Sequence, residues 1–152
     1  FNMKISYSIE KELLGTGGGI QNAISHFEDP FIVLSSDTWT DFDFKTLELS
    51  ENLLGHMVFL PNPSNHKEGD ASIIEGKVRH DFDGIKYTFS GLSILSPDLF
   101  GQKDNSKTDL WNDFLKPASI EGLVSGEIFQ GKFENLNTLE DVERLDALLS
   151  EE

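Results

Sequence analysis

Residues 13–27 read LLGTGGGIQNAISHF, and residues 31–34 read FIVL after Glu28, Asp29 and Pro30. Gly15, Gly17, Gly18 and Gly19 crowd the start of this stretch, and Ile20, Ala23, Ile24 and Phe27 follow at helical spacing. The unbroken apolar run FIVL is the pattern of a strand covered on both faces, as in a parallel sheet. A glycine-rich turn, a helix over 17–27 and a buried strand over 31–34 make half of an α/β unit. Glycine costs backbone entropy and adds nothing to a core. A run of it therefore marks either a tight turn with close helix packing, or a bare backbone that a flat ligand can approach at a helix N-terminus. The phosphate-loop pattern G-x-x-x-x-G-K-S/T fails because no Lys follows the glycines. The dinucleotide pattern G-x-G-x-x-G fits Gly15 and Gly17 but meets Ile at position 20.

Working outward, residues 3–9 alternate and predict a strand near a sheet edge. A second helix is expected over 44–54 and a second buried strand over 57–60 (MVFL). Residues 71–74 and 77–79 read as a hairpin around Glu75-Gly76. Residues 87–95 form a long strand with Gly91 inside it, where glycine suggests close backbone approach. A short helix follows over 109–115. Residues 126–130 and 132–136 are expected to pair across Gly131. The last helix spans 138–149, with Thr138 as N-cap and Asp141 three positions on, an acidic form of the capping box. With no repeat, linker or low-complexity tract, residues 1–152 read as one α/β domain.

The chain has 152 residues, 27 Asp and Glu against 12 Lys and Arg, a net charge of −15 and no cysteine. Such a surface argues against nucleic acid and against anionic membranes as partners. No cysteine means no disulfide framework and no thiolate metal site. The opening FNMKISYSIEKE is too charged for a signal peptide, so a cytoplasmic protein is expected.

Past the FIVL run the sequence continues SSDTWTDFDF. Asp37 lies beyond the C-terminal end of a buried strand, where open α/β sheets bind ligands. A carboxylate there is placed to hold Mg²⁺, which takes one or two carboxylates together with substrate phosphates. Asp41 or Asp43 reads better as the cap of the next helix. The four His residues are scattered without ligand spacing, and Trp39, Trp111, Tyr87 and the Phe residues are assigned to packing.

Taken in order, LGTGGGIQNA, PFIVLSSDTWTDFDF, PNPSNHKEGD, YTFSGLSILSPDLF and VSGEIFQGKF resemble the sugar-1-phosphate nucleotidyltransferases. The nearest branch is the short bacterial type of N-acetylmuramate-1-phosphate uridylyltransferases and mannose-1-phosphate guanylyltransferase-like proteins. The resemblance implies a Rossmann-like fold with a mixed, mostly parallel sheet. It implies Mg²⁺-dependent transfer of a nucleotidyl group from a nucleoside triphosphate to a sugar 1-phosphate, with pyrophosphate leaving. It places Gly15, Thr16, Gly17, Gly18 and Gly19 against the nucleobase and ribose, Asp37 at the metal as the catalytic carboxylate, and Gly91 and Glu127 at the sugar.

Two departures stand out. The family's W-x-D-I/V-G-T segment, whose Asp is the second metal ligand, is FENLNT here, so Asn135 takes the Asp position. An amide oxygen binds Mg²⁺ without adding charge, and molybdenum-cofactor guanylyltransferases resemble this version, so Asn135 is kept as a ligand. The family's triphosphate loop, which resembles A-A-G-x-G-x-R, finds no counterpart before Gly15. The chain therefore resembles a member without its N-terminal third, and weak or no activity is expected of it alone. Without that part, the strand at 31–34 would expose an apolar edge that favours self-association. Two alternatives stay open. One is a metal-dependent glycosyltransferase using Asp41-Phe42-Asp43 as a D-x-D motif; the other is a degenerate nucleotide- or sugar-binding domain.

Overall fold

The computed structural model describes residues 4–101 and 106–150. The glycine run lies inside the first turns of helix α1 (Gly15–Ala23), which continues as a tighter turn over Ile24–His26. Gly15 has φ +75°, a conformation that costs other residues strain. A Cβ on Gly17 would sit 2.7 Å from the Phe114 ring, and one on Gly18 would sit 2.7 Å from the Ser106 carbonyl oxygen. The N–H groups of Gly17 and Gly18 donate to the Thr108 carbonyl at 3.0 and 3.4 Å. The glycines thus let residues 106–108 and Phe114 close onto the helix, and two of the amides expected to face a ligand are occupied by the chain itself.

Eight strands follow the helix: β1 (Phe31–Val33), β2 (Thr38–Thr40), β3 (Gly55–Leu60), β4 (Ser72–Ile74), β5 (Lys77–Arg79), β6 (Thr88–Leu95), β7 (Val124–Ile128) and β8 (Phe133–Asn135). Six form one sheet in the order β1-β6-β3-β7-β5-β4, while β2 and β8 make a separate antiparallel ribbon. The sheet is mixed. Strands β1, β3, β7 and β4 point one way and β6 and β5 the other, and the β3–β7 pair is hydrogen-bonded in parallel.

The MVFL run behaves as expected of a strand covered on both sides: Met57, Val58 and Phe59 are fully buried. On one face Met57, Phe59, Leu95, Leu115 and Val124 pack with Ile20 and Ile24; on the other Val58, Leu92 and Ile94 pack with Phe42 and Leu47. Covering the first face are α1, a π-helical turn over Leu110–Leu115 and helix α2 (Lys116–Ile120), with Asp109 accepting from the Asn112 N–H to cap the turn. Helix α3 (Leu139–Ser150) begins as the capping box predicts: the Asp141 N–H donates to the Thr138 hydroxyl at 3.2 Å, and the Thr138 N–H donates to the Asp141 carboxylate at 3.0 Å. The hairpin around Glu75-Gly76 forms with both residues at positive φ, 50° and 74°, as two-residue hairpin turns require.

Four expectations change. FIVL is an edge strand, paired on one side by β6 alone, and Ile32 and Leu34 are 43% and 38% exposed. Residues 4–9 form no strand, for they have no neighbour to complete a ladder, and Ile5, Tyr7 and Ile9 are exposed; Met3 lies outside the described residues. The helix expected over 44–54 is a single turn at Phe44–Thr46. Leu47 and Leu49 drop into the core there, and Asn52 at φ 70° ends any helical path. Residues 126–136 do not fold on themselves across Gly131. β7 is drawn into the sheet centre beside β3, and β8 crosses to β2.

Candidate active site: two clefts at the strand ends

Strands β1 and β3 run in the same direction, and a cleft opens beyond the C-terminal end of each. The smaller, about 400 Å³, is lined by Thr16 and Ile20 of α1, Leu34 and Ser35 after β1, Gly91, and Trp111. The larger, about 780 Å³, follows Leu60 and Pro61 and carries Thr88, Ser90, Phe129, Phe133 and Asn135 on its walls. Phe89 lines both. Clefts at the carboxyl ends of strands are where α/β sheets place ligands.

Thr16 is fixed by a latch between α1 and the π-helical turn. Its hydroxyl accepts from the Leu110 N–H at 2.9 Å and donates to Asp109 at 3.3 Å. Gly91 has φ +85°, and a Cβ there would lie 2.6 Å from the Ser35 hydroxyl. The close approach that its place inside a strand suggested is therefore real, and the neighbour is the loop that leads to Asp37.

Asp37 is half-buried at the turn before β2. Its carbonyl accepts from the Leu136 N–H at 2.7 Å, and Thr38 pairs with Asn135 across the ribbon, with the Thr38 hydroxyl 3.5 Å from Asn135 Oδ1. The ribbon thus brings Asp37 and Asn135 to adjacent rungs, although 98 positions separate them in the sequence (135 − 37). Ser35, two residues before Asp37, lines the smaller cleft, and Asn135 lines the larger. Side chains on adjacent rungs point to opposite faces, and Asp37 itself lines neither cleft, so the ribbon brings the two backbones together without by itself forming a shared cation site. Among the described residues no group of three or more His, Cys, Asp or Glu could hold a metal ion.

The ribbon is braced from α3. Arg144 donates to Glu134 on β8 at 2.9 Å and lies 3.6 Å from Asp141. The Glu134 hydrogen bond, then its charge, holds the Arg144 guanidinium above its ordinary pKa. The Asp141 carboxyl is held below its ordinary value, first by the Thr138 hydroxyl, then by the Thr138 amide, with smaller help from the Asn137 amide and the Arg144 charge.

Other candidates are engaged elsewhere. Glu127 meets His56 at 3.3 Å, while the other ring nitrogen of His56 meets Ser125 at 2.8 Å; Glu127 lines neither cleft. Asp41 accepts from the Lys132 N–H at 2.7 Å and Asp43 from the Lys45 N–H at 3.1 Å. Phe42 between them is buried. The D-x-D reading is left without support: Asp43 caps the turn at Phe44–Thr46, as the cap reading expected, whereas Asp41 ties down the distant Lys132 backbone and caps no helix. Of the residues that line the clefts, Asp109 was read only as part of a short helix, and Phe89 and Trp111 only as packing residues. Trp111 makes an edge-to-face contact with His80 and turns to the smaller cleft. Its signal in sequence was only its place next to the Asp109 cap.

Solved structures share this architecture. The chain matches HddC from Yersinia pseudotuberculosis at TM-score 0.75 and 24% identity, covering 98% of this chain and 68% of that one. It matches the HddC complex with GMP-PN at TM-score 0.76 and 25% identity with the same coverage. A putative glucose-1-phosphate thymidylyltransferase from Bacillus anthracis follows at TM-score 0.69 and 14% identity, covering 94% and 64%. The fold is the Rossmann-like α/β fold of nucleotidyltransferases.

In sequence the chain is 46% identical over 144 residues to the D-glycero-alpha-D-manno-heptose 1-phosphate guanylyltransferase of Campylobacter jejuni, covering 91% of this chain and 65% of that protein. It is 28% identical over 157 residues to the N-acetylmuramate alpha-1-phosphate uridylyltransferase of Neisseria meningitidis, covering 97% and 68%. No family model matches the chain. The chain is thus similar over nearly its whole length to sugar-1-phosphate nucleotidyltransferases, and it spans 65% and 68% of the length of these two curated relatives.

Proposed function

We propose that these 152 residues bind a nucleoside triphosphate in the smaller cleft and a sugar 1-phosphate in the larger, serving nucleotidyl transfer between them. In that reaction an oxygen of the sugar phosphate attacks the α-phosphorus, a new P–O bond forms, and the bond to the leaving pyrophosphate breaks. The reading is supported by the two clefts at the strand ends, with Asn135 on the lining of the larger and Asp37 two residues beyond Ser35 of the smaller.

Thr16 and Ile20, presented by the glycine-rich turns, face the nucleoside with Trp111 and with Gly91, which lines this smaller cleft and not the larger one assigned to the sugar. Asp37 and Asn135 hold Mg²⁺, which supplies charge neutralisation at the transferred phosphate. Phosphoryl chemistry of this kind depends on positioning and electrostatics more than on covalent help. Among the described residues neither cleft has a Lys or Arg on its lining, so these residues alone leave much of the triphosphate charge unmet. Binding is therefore expected to be Mg²⁺-dependent and weak, with little or no turnover. Asn135 in place of a second carboxylate also favours a second reading, binding without catalysis.

Among the described residues no helix is long and apolar enough to cross a membrane, and a triphosphate substrate suits work in the cytoplasm. The test is calorimetric titration of the chain with GTP and UTP, with Mg²⁺ and with EDTA. Heat of binding that requires Mg²⁺ supports the reading; no binding, or binding indifferent to EDTA, contradicts it. The free edge of β1, with Ile32 and Leu34 exposed, supports self-association; a strictly monomeric mass by light scattering at high concentration would exclude it.

A further inference from the structure

Asn62 lines neither cleft, yet it ties together two segments that wall the larger one. It is half-buried at the start of the loop that leaves β3. Its Nδ2 donates to the Lys67 carbonyl at 3.0 Å and to the Lys86 carbonyl at 2.8 Å, and its Oδ1 accepts from the Thr88 hydroxyl at 2.9 Å. Two carbonyls can only be met by donors, so these partners set which way the carboxamide points. The Thr88 hydroxyl is then committed as a donor to Asn62 and keeps its lone pairs for the cleft that Thr88 lines.

Gly69 makes this closure possible. It has φ +63°, and a Cβ there would lie 2.8 Å from Asn62 Oδ1 and 2.8 Å from the Lys86 carbonyl carbon. Asp70 adds a second clasp: its carboxylate accepts from the Phe89 N–H at 2.8 Å, and its own N–H donates to the Tyr87 carbonyl at 2.9 Å. Pro61, Pro63 and Asn65 on one segment, and Thr88 and Phe89 on the other, line the larger cleft. The gap between them is fixed where Asn62 bridges.

We infer that Asn62 is a positioning residue, which holds the loop over 61–70 against the start of β6 and so sets the shape and polarity of one wall of the larger cleft. The inference rests on the assignment of that cleft to the sugar 1-phosphate. Asn62→Asp probes it with little change of shape. The substitution removes both donors and sets a carboxylate against two carbonyl oxygens, which also favours the protonated carboxyl.

The test is calorimetric titration of the chain and of Asn62→Asp at constant Mg²⁺, with GTP and then with glucose, mannose and galactose 1-phosphates as probes. At about pH 8, Asn62→Asp is expected to bind the probe that the parent binds best at least about tenfold more weakly, the scale of polar groups left unpaired. It should bind GTP within about twofold of the parent, as a change away from the smaller cleft does. At about pH 5 the protonated carboxyl regains one donor, so the ratio of variant to parent affinity should recover by roughly threefold or more. His66, Lys67, Glu68, Asp70, Lys86 and Tyr87, the other titratable groups of the two facing segments, are common to both proteins and cancel in that ratio. Gly69→Ala, which presses a methyl group on Asn62 Oδ1, should reproduce the selective loss without the recovery at low pH. Equal weakening of GTP and sugar phosphate, or probes bound by both variants as by the parent, overturns the inference while leaving the sugar cleft in place. A parent that binds GTP with Mg²⁺ and none of the three probes overturns the cleft assignment and the inference together.

Discussion

Asp37→Asn is expected to abolish the Mg²⁺-dependent part of nucleotide binding, with a loss in affinity of at least about 100-fold in Mg²⁺. The reasoning is electrostatic. In the proposed site Asp37 would supply the carboxylate and Asn135 a neutral oxygen. Removing the sole anionic donor leaves an all-amide site, and Mg²⁺ surrenders its water reluctantly even to carboxylates. Groups that merely support metal ligands cost about 10- to 100-fold when removed, so a direct ligand should reach or exceed the top of that range. The substitution preserves size, and the Asp37 backbone bond to Leu136 is untouched, so the fold should be retained. Calorimetry on both proteins, with and without Mg²⁺, reads the effect. The complementary change Asn135→Asp should tighten Mg²⁺-dependent binding. If Asp37→Asn binds as the parent does, the metal lies elsewhere.

The second large effect concerns the scaffold. Phe59→Ala should destabilise the fold by about 3–5 kcal/mol. Phe59 is fully buried in β3, between β6 and β7. Its ring lies 5.9 Å from that of Phe89, and a Cβ on Gly126 would meet it at 3.2 Å. The neighbours are strand backbone and close-packed rings, so the cavity has little means of collapse. Against a total stability of roughly 5–15 kcal/mol for a native domain, that loss would move the urea midpoint far down, and it would loosen Phe89, the residue shared by the two clefts. Ile85→Ala makes the control, since Ile85 is 76% exposed and surface changes stay within about 0.5 kcal/mol. A Phe59→Ala loss below about 1 kcal/mol would mean that β3 is not the centre of the core.

The two sites of effect were not equally readable. MVFL announced a strand covered on both faces because apolar continuity over four residues has few other uses. The Glu75-Gly76 hairpin and the Thr138–Asp141 cap were legible because turn and cap chemistry is local. FIVL carried the same apolar signal as MVFL yet lies at an edge, since composition reports apolar demand and not the presence of a neighbour. Residues 44–54 carried apolar residues compatible with a helix, but Leu47 and Leu49 were claimed by the core beneath Phe42, a tertiary contact without a local trace. The glycine run was legible as a place of close approach. What approaches Gly17 and Gly18 is the segment 106–108 and Phe114, distant in sequence, and only Thr16 and Ile20 turn to the cleft. Asp37 was legible from its place after a strand; its role beside Asn135 came from resemblance, and the β2–β8 ribbon supplies the nearness of the two backbones. Trp111 and Phe89 gave no sign, because an aromatic residue that lines a cleft looks the same in sequence as one that fills a core.

The measurement that tests the account most directly is amide chemical-shift mapping of the ¹⁵N-labelled chain, titrated first with GTP and Mg²⁺ and then with mannose 1-phosphate. The account predicts that GTP shifts the amides of Thr16, Ser35, Asp37, Gly91 and Trp111, and that the sugar phosphate then shifts those of Thr88, Ser90, Phe133 and Asn135. Shifts gathered instead around His56 and Glu127, or along α3, with Thr16 and Asp37 unmoved, would contradict it.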